Sequence, residues 1–153
     1  MIKTLILLRE TAAGEARVAI DPKSAAKFVK AGLNVVIPPG AGDLAFFNDA
    51  DYEAAGATVA EPDFTQPAIV VSIQPPKAEL LKRLAEGSLL ITLLDPYRNL
   101  KLVTQLKERK IDALALEFIP RITRAQSMDV LSSQASIAGY EAALLAASHA
   151  PRF

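Results

Sequence analysis

Cysteine and tryptophan are absent from this 153-residue chain, histidine occurs once, and neither sign of charge is in excess. Without cysteine there is no disulfide framework, no thiolate nucleophile and no cysteine metal site. The lone His149 would have to serve every Ser-His-Asp triad, histidine metal cluster or proton relay by itself, so it reads as a solvated surface residue. Lys+Arg 17 against Asp+Glu 17 leaves no net charge, which argues against nucleic acid as a partner, because phosphate backbones select a basic excess. Long apolar runs are missing too. No stretch approaches the roughly 20 apolar residues of a membrane span, and the run in MIKTLILLRE is too short for a signal sequence. The expectation is a soluble chain with no direct membrane insertion.

What is present is a hydrophobic fraction of 51%, enough for one packed core in a chain too short to promise two. TLILLRE reads as a buried strand. Asp21 is placed as the N-cap of a helix whose first turn holds Pro22 and whose stop is Gly32. Val35 to Ile37 make a second strand, and a short helix through NDADYEAAGATV breaks at Gly56 before a small strand, Ala57 to Val59. AIVVSIQPP is a third clear strand, cut off by two prolines. KAELLKRLAEGS predicts an amphipathic helix with Leu80, Leu81 and Leu84 on one side and Gly87 as its stop. The strand LLITLL, the helix NLKLVTQLKERK and the strand DALALEF follow, and a long helix runs from about Ala125. Strands alternating with helices predict an α/β domain: a Rossmann-like or flavodoxin-like open, mainly parallel sheet with helices on both faces. The domain reading is an α/β lobe over 1–124 and a long helix over 125–153.

Ligands of open parallel sheets sit at the carboxyl ends of the strands, here the loops RETAAGEAR, PPGAGD, QPPKAE, DPYRN and IPRITRAQ. PPGAGD lacks the G-x-G-x-x-G order of a dinucleotide fingerprint and reads as a turn. Arg17 has two readings, a clamp on a carboxylate or phosphate and an ion pair with Glu15 or Asp21. The stretch PRITRAQSMDVLSSQASIAGY also has two. Thr123 with Gln126 fits a capping box and Asp129 suits a first turn. Alternatively, Asp129, Ser132, Ser133, Ser136 and Tyr140 form one polar stripe, which with Arg and Gln at its head suits an amide-bearing ligand.

That stretch closely resembles the matching segment of the nucleotide-binding alpha subunit of proton-translocating NAD(P) transhydrogenase. GEARVAIDP, GLNVVIPPGAGDLAFFNDADYEAAGA and the terminal APRF resemble the same family in the same order, across essentially the whole chain. The Arg-Ala-Gln-Ser-x-Asp-x-Leu-Ser-Ser run is specific, while the other matches are shared with the related alanine dehydrogenases. The alanine dehydrogenase pattern departs at two places: Gln74 stands where that family carries Lys, and Asp95 where it carries His.

The resemblance implies an oxidoreductase component that positions NAD(H) for direct hydride transfer to NADP(H) on a partner domain, with no protein acid or base needed. Carried over residue by residue, Gln126 would contact the nicotinamide end, Arg121 with Asp129 would shape the loop by charge pairing, and Ser132 would bond near the ring. The roles of Arg17 and Tyr140 stay open. The implied partners are the NADP(H)-binding and membrane-spanning subunits and a second copy of the chain. The implied location is cytoplasmic, peripheral at the inner membrane through those subunits. In the family the helix over 125–153 leads into a Rossmann lobe that carries the pyrophosphate site, so this chain alone is expected to bind NAD(H) weakly and not to turn over. Two other readings stand beside this one: a non-catalytic truncated relative serving as a scaffold or dimerisation module, and a degenerate oxidoreductase of the alanine dehydrogenase type.

Overall fold

The structure, a computed structural model, describes residues 2–150. It forms two compact units, Met1–Ala115 and Leu116–Phe153.

The first unit is built on six strands, β1 (Thr4–Leu7), β2 (Asn34–Ile37), β3 (Thr58–Val59), β4 (Ile69–Val71), β5 (Leu89–Thr92) and β6 (Asp112–Ala115). All pair in parallel, in the order β3-β2-β1-β4-β5-β6. The chain steps outward from β1 to β3, crosses back, and steps outward again from β4. Parallel strands covered on both faces are apolar throughout, and alternate residues feed opposite sides. In β1 and the residue that follows it, Ile6 and Leu8 enter one core with Val70, Leu81, Leu84, Leu90 and Leu106. Leu5 and Leu7 enter another with Ala25, Val35, Ile37 and Tyr52. Helices α1 (Pro22–Lys30) and α2 (Asp49–Ala54) close the second core; α3 (Ala78–Leu81) and α4 (Leu100–Glu108) close the first. The predicted α/β fold with helices on both faces is what forms.

Local chemistry explains where the elements start and stop. The Asp21 side chain accepts from Ser24 N at 2.8 Å, Pro22 opens α1, and Gly32 beyond its end has φ +88°. Helix α2 opens on a reciprocal capping box between Asn48 and Asp51. Its C-terminal Gly56 has φ +83°, and a Cβ there would meet Val29 at 3.2 Å. Tyr52, fully buried, donates its hydroxyl to Ile20 O at 2.8 Å, and burial pushes its phenol up to about 12.

Two elements depart from expectation. The amphipathic helix expected through Lys77–Ser88 is a single turn, because beyond Leu81 the amides bond three residues back: Arg83 N to Leu80 O and Leu84 N to Leu81 O. That tightening is how short 3₁₀ pieces end a helix, and it still buries Leu81 and Leu84. The last strand is likewise shorter than DALALEF, since Leu116–Phe118 turns into a 3₁₀ segment.

The second unit holds that segment, another 3₁₀ stretch (Thr123–Met128) and α5 (Val130–His149). The long helix therefore begins at Val130, not at Ala125. No Thr123–Gln126 capping box forms: Ile122 is the residue flanking the 3₁₀ stretch, and it makes no side-chain cap. No helix among the described residues is long and apolar enough to cross a membrane.

Candidate functional site

The crossover between β3 and β4 leaves β1 and β4 adjacent at the point where the strand order reverses, the place where open α/β sheets take ligands. A crevice of about 530 Å³ lies there, lined by Leu8, Arg9 and Glu10 after β1 and by Gln74, Pro76 and Lys77 after β4, among others. Its walls are joined by polar contacts. Glu10 accepts from the backbone N–H of Ile73 at 2.6 Å and of Gln74 at 3.1 Å. The Gln74 side-chain amide donates to Glu15 at 2.9 Å. Arg17 meets Glu15 with a two-pronged guanidinium, Nε at 2.7 Å and Nη2 at 2.6 Å.

These carboxylates sit in opposite electrostatic settings. The Arg17 hydrogen bond, helped by the Gln74 amide, holds Glu15 at about 2 against a smaller desolvation effect. Burial pushes Glu10 above its ordinary value, more than its two amide bonds pull it down. Arg17 thus takes the ion-pair reading with Glu15, one of the two that its position allows. Below the crevice, Ser72 Oγ donates to Gln74 O at 2.8 Å, and Thr92 Oγ1 reaches Ile73 O at 3.1 Å, fixing the floor.

The other carboxyl-end loops hold local structure. PPGAGD is a turn: Gly40 N donates to Asp49 Oδ1 at 2.8 Å, and a 3₁₀ turn, Asp43–Ala45, follows. Asp95 adopts φ +44°, a left-handed conformation that Asp tolerates better than most residues. Its carbonyl accepts from Arg98 N and Asn99 N, both at 3.0 Å.

The residues singled out in the Arg121 to Ser132 segment all fall in the second unit. Asp129 is the N-cap of α5: Oδ1 accepts from Leu131 N at 3.1 Å and Ser132 N at 3.0 Å, and Oδ2 accepts from the Ser132 hydroxyl at 2.6 Å. Ser133 Oγ donates to Asp129 O at 3.0 Å. The start of the polar stripe is therefore capping chemistry. The Ser132 side chain does most to hold the Asp129 carboxyl below its ordinary value, with Arg121 acting more weakly through space. Arg121 makes no ion pair with Asp129 among the described residues. Gln126 is exposed and its side chain makes no hydrogen bond among the described residues, so both its amide donor and its acceptor are available. Sequence reasoning missed Glu10, although a lone carboxylate placed directly after a buried strand, in a carboxyl-end loop, was a signal.

Strand order and switch-point crevice together define a doubly wound α/β domain. Residues 6–138 match the family described as alanine dehydrogenase/PNT, N-terminal domain, and the chain belongs to that family. It is 43% identical over 148 residues to the NAD(P) transhydrogenase subunit alpha of Cereibacter sphaeroides, covering 95% of this chain and 28% of that protein. Among solved structures it is similar to the transhydrogenase of Sinorhizobium meliloti, with a TM-score of 0.91 and 36% identity over 97% of this chain and 45% of that one. An L-alanine dehydrogenase follows at a TM-score of 0.73 and 29% identity, covering 79% of this chain and 34% of that one. The chain thus spans less than half the length of each.

Proposed function

We propose that this chain is the N-terminal part of the NAD(H)-binding component of a proton-translocating NAD(P)+ transhydrogenase. In this role it helps position NAD(H) for direct hydride transfer to NADP(H) on a partner domain. The observation that carries this reading is Gln126, an exposed side-chain amide with no partner among the described residues, inside the intact Arg-Ala-Gln-Ser-x-Asp-x-Leu-Ser-Ser run. A primary amide that can both donate and accept fits the carboxamide of a nicotinamide. Asp129 and Ser132 hold each other and the start of α5, which orients the segment that Gln126 precedes. Arg121 supplies positive charge to the same segment. When bound, the cofactor supplies the hydride; this chain's residues supply position and charge.

Gln74 supports this reading over a keto-acid reductase. Its amide is engaged by Glu15, and an amide offers no titrating proton where the alanine dehydrogenase pattern has Lys. The chain spans 28% of the transhydrogenase subunit it matches, and we assign the remaining contacts to the dinucleotide to the rest of such a subunit. We therefore expect weak NAD(H) binding and no turnover by the chain alone. The NADP(H)-binding and membrane-spanning subunits and a second copy are its proposed partners. Attachment to the cytoplasmic face of the membrane would run through those subunits.

The test is an NADH titration of the purified chain, read by reduced-nicotinamide fluorescence, beside Gln126→Ala. Weak saturable binding that the substitution abolishes is the expected result. Binding indifferent to Gln126→Ala removes the nicotinamide role. No hydride transfer once the chain is assembled with the rest of a transhydrogenase alpha subunit and the NADP(H)-binding partner rejects the function itself.

A further inference from the structure

The two walls of the switch-point crevice are fastened by a carboxylate that the proposed nucleotide role does not use. Beyond the ladder bond from Leu8 N to Val71 O, at 2.9 Å, a side chain replaces the backbone as acceptor: Glu10 receives the amides of Ile73 and Gln74, 63 and 64 residues away. The geometry points to Glu10 as a positioning residue that clasps the loop between β4 and α3 to the end of β1, and to its protonation as the event that loosens the clasp.

An ionised carboxylate accepts two N–H bonds with charge-assisted strength. A protonated one accepts more weakly and carries an O–H that needs an acceptor of its own. The charged groups around Glu10 come from every side of the crevice. Glu15 and Arg17 lie in the loop after β1, with Glu15 raising the Glu10 carboxyl and Arg17 lowering it. Arg9 precedes it, and Lys77, Glu79 and Arg83 line the opposite wall. Glu79 is drawn outward by Lys82 at 2.8 Å.

Burial is the largest of these influences and sets the sign. A carboxyl raised in the fold contributes stability that is fully present below its unfolded value, near 4.5, and is lost as pH rises through its folded value. The ionised clasp is therefore closed against a desolvation cost. Glu15, held at about 2, stays charged while Glu10 titrates, so the Gln74 side chain remains tied to Glu15 throughout.

Nuclear magnetic resonance of the ¹⁵N-labelled chain between pH 7.5 and 4 tests this with no nucleotide present, so the outcome is independent of the proposed function. The Ile73 and Gln74 amides are expected to move along one common curve with a midpoint above 4.5. Their exchange protection is expected to fall about tenfold beyond the intrinsic pH trend, the loss of a charge-assisted bond. Glu10→Gln, which keeps one neutral acceptor oxygen, should abolish the curve and lower the protection of the two amides about tenfold at neutral pH. Glu15→Gln should keep the curve with its midpoint moved down, since the charge that raises Glu10 is gone. Amides that stay still while the Glu10 carboxyl carbon titrates would overturn the clasp, as would undiminished protection in Glu10→Gln. Should that variant fail to fold, the wild-type titration decides alone.

Discussion

Strand β5 and helix α5 both carry leucine and isoleucine, yet β5 hides Leu90 completely while α5 leaves Ile137, Leu144 and Leu145 at 50% exposure or more. The strand sits between β4 and β6, and Leu90 enters the core shared by Ile6, Val70 and Leu106, so its composition and its burial agree there. The helix has apolar residues around its circumference and no buried position. A helix of that kind is ordinarily enclosed. The first unit thus carries its own solvent exclusion in its sequence, whereas the composition of α5 is matched to cover that these residues do not supply. Under the proposed function, that cover comes from the rest of the subunit and from a second copy.

The sharpest way to break this contrast is a pair of truncations measured by urea denaturation. Leu90→Ala removes a fully buried side chain from the centre of the sheet and should cost about 3–4 kcal/mol. Ile137→Ala, in the same chain, should stay within about 0.5 kcal/mol. Comparable losses at the two sites would mean that α5 is packed after all.

A smaller effect separates the crevice from the core. Glu15→Gln removes the charge that Arg17 and Gln74 hold, and with Arg17 43% exposed the loss at pH 7 should be about 1 kcal/mol. The sign is set by a lowered carboxyl. Its contribution is present above the unfolded value of 4.5 and disappears as pH falls toward about 2. Wild type and variant should therefore converge in stability between pH 4.5 and pH 2, while the Leu90→Ala deficit persists. A gap that is constant across that range would make the pair's contribution one of packing.

What could be read in advance divides along the same line. Asp21, Pro22 and Gly32 announced α1 because capping is settled within a few residues, and the alternation of strands with helices announced the two-faced sheet. The helix after Pro76 was overread, since Leu80, Leu81 and Leu84 serve a 3₁₀ ending as well as they serve a helical stripe. Glu10 was visible as a carboxylate after a buried strand, but its partners were not: they lie 63 and 64 residues away, and no local pattern encodes them. Arg17 was legible as a pair of alternatives, and the proximity of Glu15 in the folded loop selected one. At the candidate nucleotide segment the composition was clear but its assignment was not. Asp129 and Ser132 sit three apart, which is both the spacing of a polar helical stripe and that of an N-cap.

That ambiguity yields the smallest and most local prediction. Asp129 accepts from Leu131 N and Ser132 N and from the Ser132 hydroxyl, so it satisfies two of the free amides at the start of α5. Asp129→Ala should fray the first turn of α5, read as a loss of helical ¹³Cα shifts from Val130 to Ser133. Asp129→Asn keeps an acceptor oxygen and should restore most of them. Global stability should barely change, because the first unit carries the buried core. If Asp129→Asn restores the helix but still weakens NADH binding, the carboxylate's charge matters beyond capping. If it restores both, the cap alone orients the segment that holds Gln126.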